Sequence, residues 1–262
     1  MNLLVTDIDS TLSVGEIVSN EVISACQELH DNDWQIMIAT GRTLKSCSSH
    51  KRQISALDTV IVYDGARVMN AKNGSEIMGF ELSHNDVLEI TEVSWNFGLE
   101  IQITGDEGLY CRAQDVETRD FCHKTGLTYS IIDSPNISGK VYRVAFWGKT
   151  DIIRSLELTL QKSFRERFNI TRGGDYFLDV LSRGVSKGYA LEQLISRGCI
   201  EAPEIIVAAG DHMNDYELLS YADVSVVPHD CTPEILKLAD IIMPSVENHG
   251  FRFLSSILIN KQ

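Results

Sequence analysis

The sequence predicts an α/β fold, in which a parallel-sheet core built from both ends of the chain is interrupted by an inserted α+β domain. Three observations predict it. Short apolar runs alternate with amphipathic helical patterns over the first 65 residues, which is how βαβ units read. The same alternation returns from Ser186 to the C-terminus. Between them, strands joined by turn residues sit beside longer helical stretches, the pattern of an antiparallel sheet with segregated helices. The expected division is therefore 1–81 with 185–262 for the core, and 82–184 for the insert.

Taken in order, Leu3–Thr6 is a β-prone run that stops on Asp7-Ile8-Asp9-Ser10-Thr11. Glu16–His30 places Ile17, Val18, Val22, Ile23, Ala25, Cys26 and Leu29 at helical spacing. A buried strand at Gln35–Ala39 leads through Thr40-Gly41-Arg42 to a short helix near Leu44–Gln53. Thr59–Tyr63 ends at Asp64-Gly65, and Ala66–Met69 with Glu76–Phe80 flank the turn Lys72-Asn73-Gly74.

In the insert, a helix at Asn85–Asn96 precedes strands at Gly98–Thr104 and Leu109–Arg112, around the turn Gly105–Gly108. A helix near Asp115–Lys124 and a loop at Ser134–Gly139 lead to a strand at Val141–Trp147. Asp151–Phe164 is helical, and Asn169–Thr171 and Tyr176–Leu181 are strands, with Arg172 and Asp175 flanking a Gly-Gly turn. The core resumes with a helix at Ser186–Arg197 and a strand at Ile205–Ala209. Gly210-Asp211 then opens a helix at His212–Ser220. Strands at Val224–Val227 and Ile241–Met243 and a helix ending near Ile259 complete the chain.

Composition narrows the function classes. The 262 residues are 44% hydrophobic and 23% charged, with a net charge of −14. That charge disfavours nucleic acid and anionic membrane as partners, although a metal and a few basic side chains can reverse the field locally. The six cysteines (Cys26, Cys47, Cys111, Cys122, Cys199, Cys231) form no CxxC pair and no metal-finger spacing, which predicts thiols in a reducing compartment. No signal-peptide pattern opens the sequence and no apolar run has the length of a membrane span. A cytoplasmic location is expected. Nothing in the sequence specifies an oligomeric state.

The chemistry gathers at strand ends. Asp7 and Asp9, two apart, leave the end of the first strand on one side, and strand ends are where open α/β sheets bind ligands. Two such carboxylates need a cation, a shared proton or solvent between them, so a hard metal, an acid/base pair, or both are implied. Asp7 suits a nucleophile toward phosphorus, since carboxylates form acyl phosphates, and Asp9 a proton donor to the leaving oxygen. Thr40 and Gly41 offer a hydroxyl and an unhindered N–H to phosphoryl oxygens, Lys187 a point charge, and Asp211 a third hard oxygen of the kind Mg²⁺ takes. Lys187 also stands at a helix start, where a cation is disfavoured. Arg42 reads equally as a substrate contact or a solvated side chain, and His212 and His249 read as surface residues.

With these residues in view, the sequence resembles the haloacid dehalogenase superfamily of phosphotransferases, and within it the Cof-type sugar-phosphate phosphatases with a large inserted α/β cap. The resemblance covers the whole chain and rests on four motifs in order: DIDST at 7–11, ATGR at 39–42, VSKG at 185–188 and GDHMND at 210–215. His249-Gly250-Phe251 also sits where that subgroup has a Gly-containing segment. Membership implies a Rossmann-like core and a Mg²⁺-dependent phosphatase of small phosphorylated metabolites, most of all sugar phosphates. It implies Asp7 as the phosphorylated nucleophile and metal ligand. Asp9 would be the general acid/base and contact the metal through its backbone carbonyl. Thr40, Gly41, Arg42, Lys187 and Asn214 would hold or orient the phosphoryl group. Asp211 would complete the metal ligands, with Asp215 supporting Lys187 and metal-bound water.

The chain departs from the pattern twice. Ser10 stands where the family usually has Gly, and Asp64 where the subgroup often has Asn. A carboxylate at 64 would repel a second substrate anion or accept sugar hydroxyls. Two rival chemistries compete with the phosphatase. One is a phosphomutase of the same superfamily. The other is a serine hydrolase, because Gly184-Val185-Ser186-Lys187-Gly188 matches G-x-S-x-G between a strand and a helix. The hydrolase leaves the other motifs unexplained and lacks a Gly-rich oxyanion segment.

Overall fold

A computed structural model describes residues 1–260, except Asn96, Glu107 and Gly173 and the side chains of Thr125 and Asn260. They divide into two compact units: Met1–Met78 with the chain from Ser186 on, and Gly79–Val185. The second unit thus begins three residues before and ends one residue after the expected 82–184.

The first unit opens with β1 (Asn2–Thr6), α1 (Asn20–Asp31), β2 (Trp34–Ala39), α2 (Ser48–Gln53), β3 (Leu57–Val62), β4 (Arg67–Asn70) and β5 (Glu76–Gly79). The insert follows with α3 (His84–Ser94), β6 (Glu100–Gly105), β7 (Leu109–Cys111), α4 (Val116–Thr125), β8 (Tyr129–Ile131), β9 (Val141–Trp147), α5 (Thr150–Phe164), β10 (Phe168–Arg172) and β11 (Phe177–Ser182). The first unit then resumes through α6 (Lys187–Ser196), β12 (Ile206–Ala209), α7 (Tyr216–Tyr221), β13 (Val224–Pro228), α8 (Pro233–Leu236), β14 (Ile241–Met243) and α9 (Gly250–Asn260).

In the first unit the sheet order is β14-β13-β12-β1-β2-β3-β4-β5. The strands from β14 to β3 run parallel, and β4 returns antiparallel to β3. Strands buried on both faces read as continuous apolar runs, as Leu3, Leu4 and Val5 do at 0% exposure. Because β1 lies between β2 and β12, the carboxyl ends of strands distant in the sequence open side by side.

The sheet of the insert has the order β10-β11-β9-β6-β7-β8. One of its faces packs α3 and α5 through Val87, Ile90, Ile153 and Leu156 on Ile101, Val144, Phe146 and Val180. This sheet is mixed where an antiparallel one was expected, since β8 pairs parallel to β7. The helix α4 between them makes the crossover that parallel neighbours need. β8 itself has three partly exposed residues, too short a run to announce a strand. The expected Gly-Gly turn includes Gly173, which lies outside the described residues.

Three helix starts also differ from expectation. α1 begins at Asn20, because Ser19 is extended and its hydroxyl accepts the Val22 N–H, an N-cap that outweighs the apolar spacing. Ile17, expected on the buried face, is 78% exposed. α2 begins at Ser48 because the Thr43 hydroxyl takes the Ser46 N–H in a local turn. The helix expected from His212 is a 3₁₀ turn at Met213–Asp215 followed by α7.

Candidate active site

Asp7 follows β1, and its N–H donates to Ala209 O of β12 at 2.9 Å, so the ends of the two strands are in register. Asp7 is buried. The Lys187 ammonium, the most enclosed cation of the site at 0% exposure, donates to Asp7 Oδ1 at 2.7 Å and to Asp215 Oδ1 at 2.6 Å. Ser186 puts it there: its hydroxyl accepts the Tyr189 N–H and caps α6, making Lys187 the first helical residue. The same bond answers the serine-hydrolase alternative, because the Ser186 hydroxyl is engaged as a cap on extended backbone. Gly65, at φ 103°, packs its α-carbon so close to the Ser186 carbonyl that any side chain would collide.

Asp215 organises the opposite wall. Its Oδ2 accepts the N–H groups of Asp211 at 3.0 Å and His212 at 3.2 Å, while its Oδ1 faces Lys187. Asp211 Oδ1 accepts the Thr11 hydroxyl at 3.3 Å, across 200 positions of sequence. Asp7, Asp211 and Asp215 each offer a carboxylate oxygen, and these atoms all lie within 4.8 Å of one another. Burial, then the charges of Asp215 and Asp211, raise the Asp7 carboxyl well above its ordinary value, against the pull of Lys187. Burial and the Asp215 charge push Asp211 up to about 7. Burial disfavours the Lys187 charge, yet Asp215, Asp7 and Asp64 overcome it and raise the ammonium above its ordinary range. Three carboxylate oxygens this close together, in a largely buried site with hard oxygens only, have the donor set of a divalent cation such as Mg²⁺.

The other expected residues divide. Thr40 is buried beyond β2 and its hydroxyl accepts the Arg42 N–H at 3.2 Å. Gly41 lies against the Asp64 carboxylate. Asn214 donates its amide to Asp64 Oδ1 at 2.8 Å. Asp9 is not one of the three close carboxylates: its side chain is 53% exposed and bound by Arg42, from Nε to Oδ2 at 2.8 Å and from Nη2 to Oδ1 at 2.6 Å. Arg42 is therefore neither solvated nor free, and its Nη1 also donates to Glu16 Oε1 at 2.6 Å. His249 lies at the start of α9, paired with Glu21.

Sequence reasoning passed over Glu16 and Thr11, and singled out Asp64 for substrate selectivity without placing it among the phosphate- or metal-binding residues. Glu16 gives no sequence signal, because its position depends on a strap. The Ser49 and Gln53 side chains of α2 donate to the Glu16 carbonyl at 2.8 and 3.2 Å, and Ser13 Oγ meets His50 Nε2 at 2.9 Å. Asp64 did carry a signal. It follows the carboxyl end of β3, as Asp7, Thr40 and Asp211 follow β1, β2 and β12.

Known proteins resemble this chain in sequence and in fold. The family model of haloacid dehalogenase-like hydrolases matches residues 4–252. The HMP-PP phosphatase of Serratia proteamaculans is 24% identical over 235 residues, 88% of this chain and 85% of the relative. Among solved structures, BT1666 from Bacteroides thetaiotaomicron superposes with a TM-score of 0.80 at 22% identity, covering 99% of this chain and 96% of the other. The subclass IIB sugar phosphatase BT4131 superposes with a TM-score of 0.81 at 18% identity, covering 98% and 99%. At those identities the superpositions establish the fold. With strand ends that gather three carboxylates around one buried lysine, and a family match over nearly the whole length, the chain belongs to the haloacid dehalogenase-like hydrolases and is a phosphatase.

Proposed function

We propose that the protein is a Mg²⁺-dependent phosphatase of small phosphorylated metabolites, sugar phosphates above all, that works through phosphorylation of Asp7. The observation that carries the reading is the Lys187 ammonium lodged between Asp7 and Asp215, beside three mutually close carboxylate oxygens. Asp7, Asp211 and Asp215 would hold Mg²⁺, with the Asp9 carbonyl as a further contact. When bound, the ion supplies positive charge to the phosphoryl oxygens and keeps the surrounding acids ionised.

The chain's own residues do the rest. Lys187, the Thr40 hydroxyl and the Gly41 N–H receive the phosphoryl oxygens, with Asn214 orienting the group. An Asp7 oxygen attacks phosphorus while the bond to the leaving oxygen breaks. Asp9 gives that oxygen a proton, and then takes one from the water that hydrolyses phospho-Asp7. Asp9 is held for that role by Arg42, which bonds both of its carboxylate oxygens. Residues 79–185 are assigned the role of an inserted cap, and the cytoplasm is the compartment that fits six cysteines that form no disulfide. Among the described residues, no helix is long and apolar enough to cross a membrane.

A screen of phosphorylated metabolites with Mg²⁺ and with EDTA tests this. Phosphate release with Mg²⁺, lost in EDTA and in Asp7→Asn, is the expected result. Full activity of Asp7→Asn would overturn the assignment of the nucleophile.

A further inference from the structure

Asp64 brings a fourth carboxylate to the site. It is buried, and its backbone is in the left-handed region at φ 51°. Its N–H donates to Thr40 O at 3.1 Å, which fixes the turn after β3 against the end of β2. Its Oδ1 accepts from Asn214 and lies 3.8 Å from Lys187 Nζ. A Cβ placed on Gly41 would lie 2.9 Å from its Oδ2. One carboxylate thus touches the surroundings of three groups that the phosphatase reading gives to the phosphoryl oxygens: Lys187, Asn214 and Gly41.

The charge balance follows from these contacts. Asp7, Asp64 and Asp215 lie within 4 Å of one ammonium, and Asp211 stands beside Asp7 and Asp215. A divalent cation offsets two of the four carboxylates, Lys187 a third, and one negative charge remains before any substrate arrives. Asp64 and Lys187 are buried, so that charge is weakly screened and acts on every anionic group a substrate brings. An amide at 64 would leave none, and its oxygen would accept the same hydrogen bond from Asn214.

We propose that Asp64 is a specificity-determining residue. Through its charge beside Lys187 and Asn214 it selects single phosphate esters of otherwise uncharged, hydroxyl-bearing alcohols, and disfavours substrates with a second phosphate or a carboxylate. The proposal rests on the phosphatase reading above and adds the substrate class to it. Asp64 selects by repelling a second anion as well as by what it attracts.

The test is Asp64→Asn, with Asp64→Gly as a second variant because glycine tolerates the positive φ without strain. Calorimetry with inorganic phosphate in Mg²⁺ reads the charge effect without turnover. Both variants are expected to bind phosphate about tenfold more tightly than the parent. In parallel, the ratio of kcat/KM for a hexose bisphosphate to that for a hexose monophosphate is expected to rise about tenfold. Unchanged or weaker phosphate binding in a folded Asp64→Asn protein, or an unchanged substrate ratio, overturns the proposal. A parent protein that binds phosphate but hydrolyses nothing would defeat the phosphatase reading instead, and the phosphate affinities would still decide the role of Asp64.

Discussion

Arg42 closes on Asp9 with two edges of its guanidinium, Nε on Oδ2 at 2.8 Å and Nη2 on Oδ1 at 2.6 Å. A paired contact of this kind fixes orientation as well as charge, and it requires the planar fork that lysine lacks. Replacing Arg42 by Lys is therefore expected to lower kcat about tenfold, nearly as much as Arg42→Ala, with KM changed less than threefold. Steady-state kinetics on one good substrate checks this. A lysine variant with parental kcat would show that the pairing does not position Asp9.

Lys187 neutralises carboxylates that burial makes expensive. Removing one partner of a buried ion pair costs about 3–5 kcal/mol, because the remaining charges stay desolvated. Lys187→Met should abolish turnover and lower stability by about that amount in EDTA. Adding Asp215→Asn should restore part of the loss. Denaturant titrations of the single and double variants decide it, and purely additive losses would contradict the coupling.

The Asp211 carboxyl ties stability to pH and to the cation. Its folded value, about 7, lies above the ordinary 3.8, so the folded chain holds this proton more tightly than the unfolded one. The associated stability is complete below about pH 4 and is lost as pH rises toward 7. A divalent cation needs the ionised form. Mg²⁺ should therefore raise the melting temperature more at pH 8 than at pH 6, and Asp211→Asn should remove most of that difference. Thermal melts with Mg²⁺ and with EDTA at the two pH values measure it.

Ser10 is exposed and sits at φ 61°, a conformation that costs an ordinary L-residue roughly 1 kcal/mol. Glycine removes that strain and gives back part of the gain as unfolded-chain entropy. Ser10→Gly is expected to raise the melting temperature by about 1–2 °C and to leave kcat unchanged. A fall in melting temperature would refute it.

Periodicity and strand-end chemistry made most of the frame legible in the sequence. β1, β2, β3 and β12 were visible as apolar runs, and the polar residues after them marked Asp7, Thr40 and Asp211. Long-range capping and strapping were not visible. That Glu16 lies outside α1 depends on the Ser19 cap and on Ser49 and Gln53, whose partners are known only once α2 is in place. Ser10 was noticed as a departure from the family, but a left-handed φ cannot be read from a serine. β8 was missed because three half-exposed residues gain their identity from β7 alongside them.

The Thr11–Asp211 hydrogen bond and the pairing of β1 with β12 also set a schedule. A ribosome making this chain releases Asp7 and Asp9 about two hundred residues before Asp211 and Asp215. Until then one edge of the central strand has nothing to pair with, and such edges invite association with other nascent chains. Premature termination anywhere before β12 therefore yields no weakened enzyme, only an adhesive fragment with half of its acids.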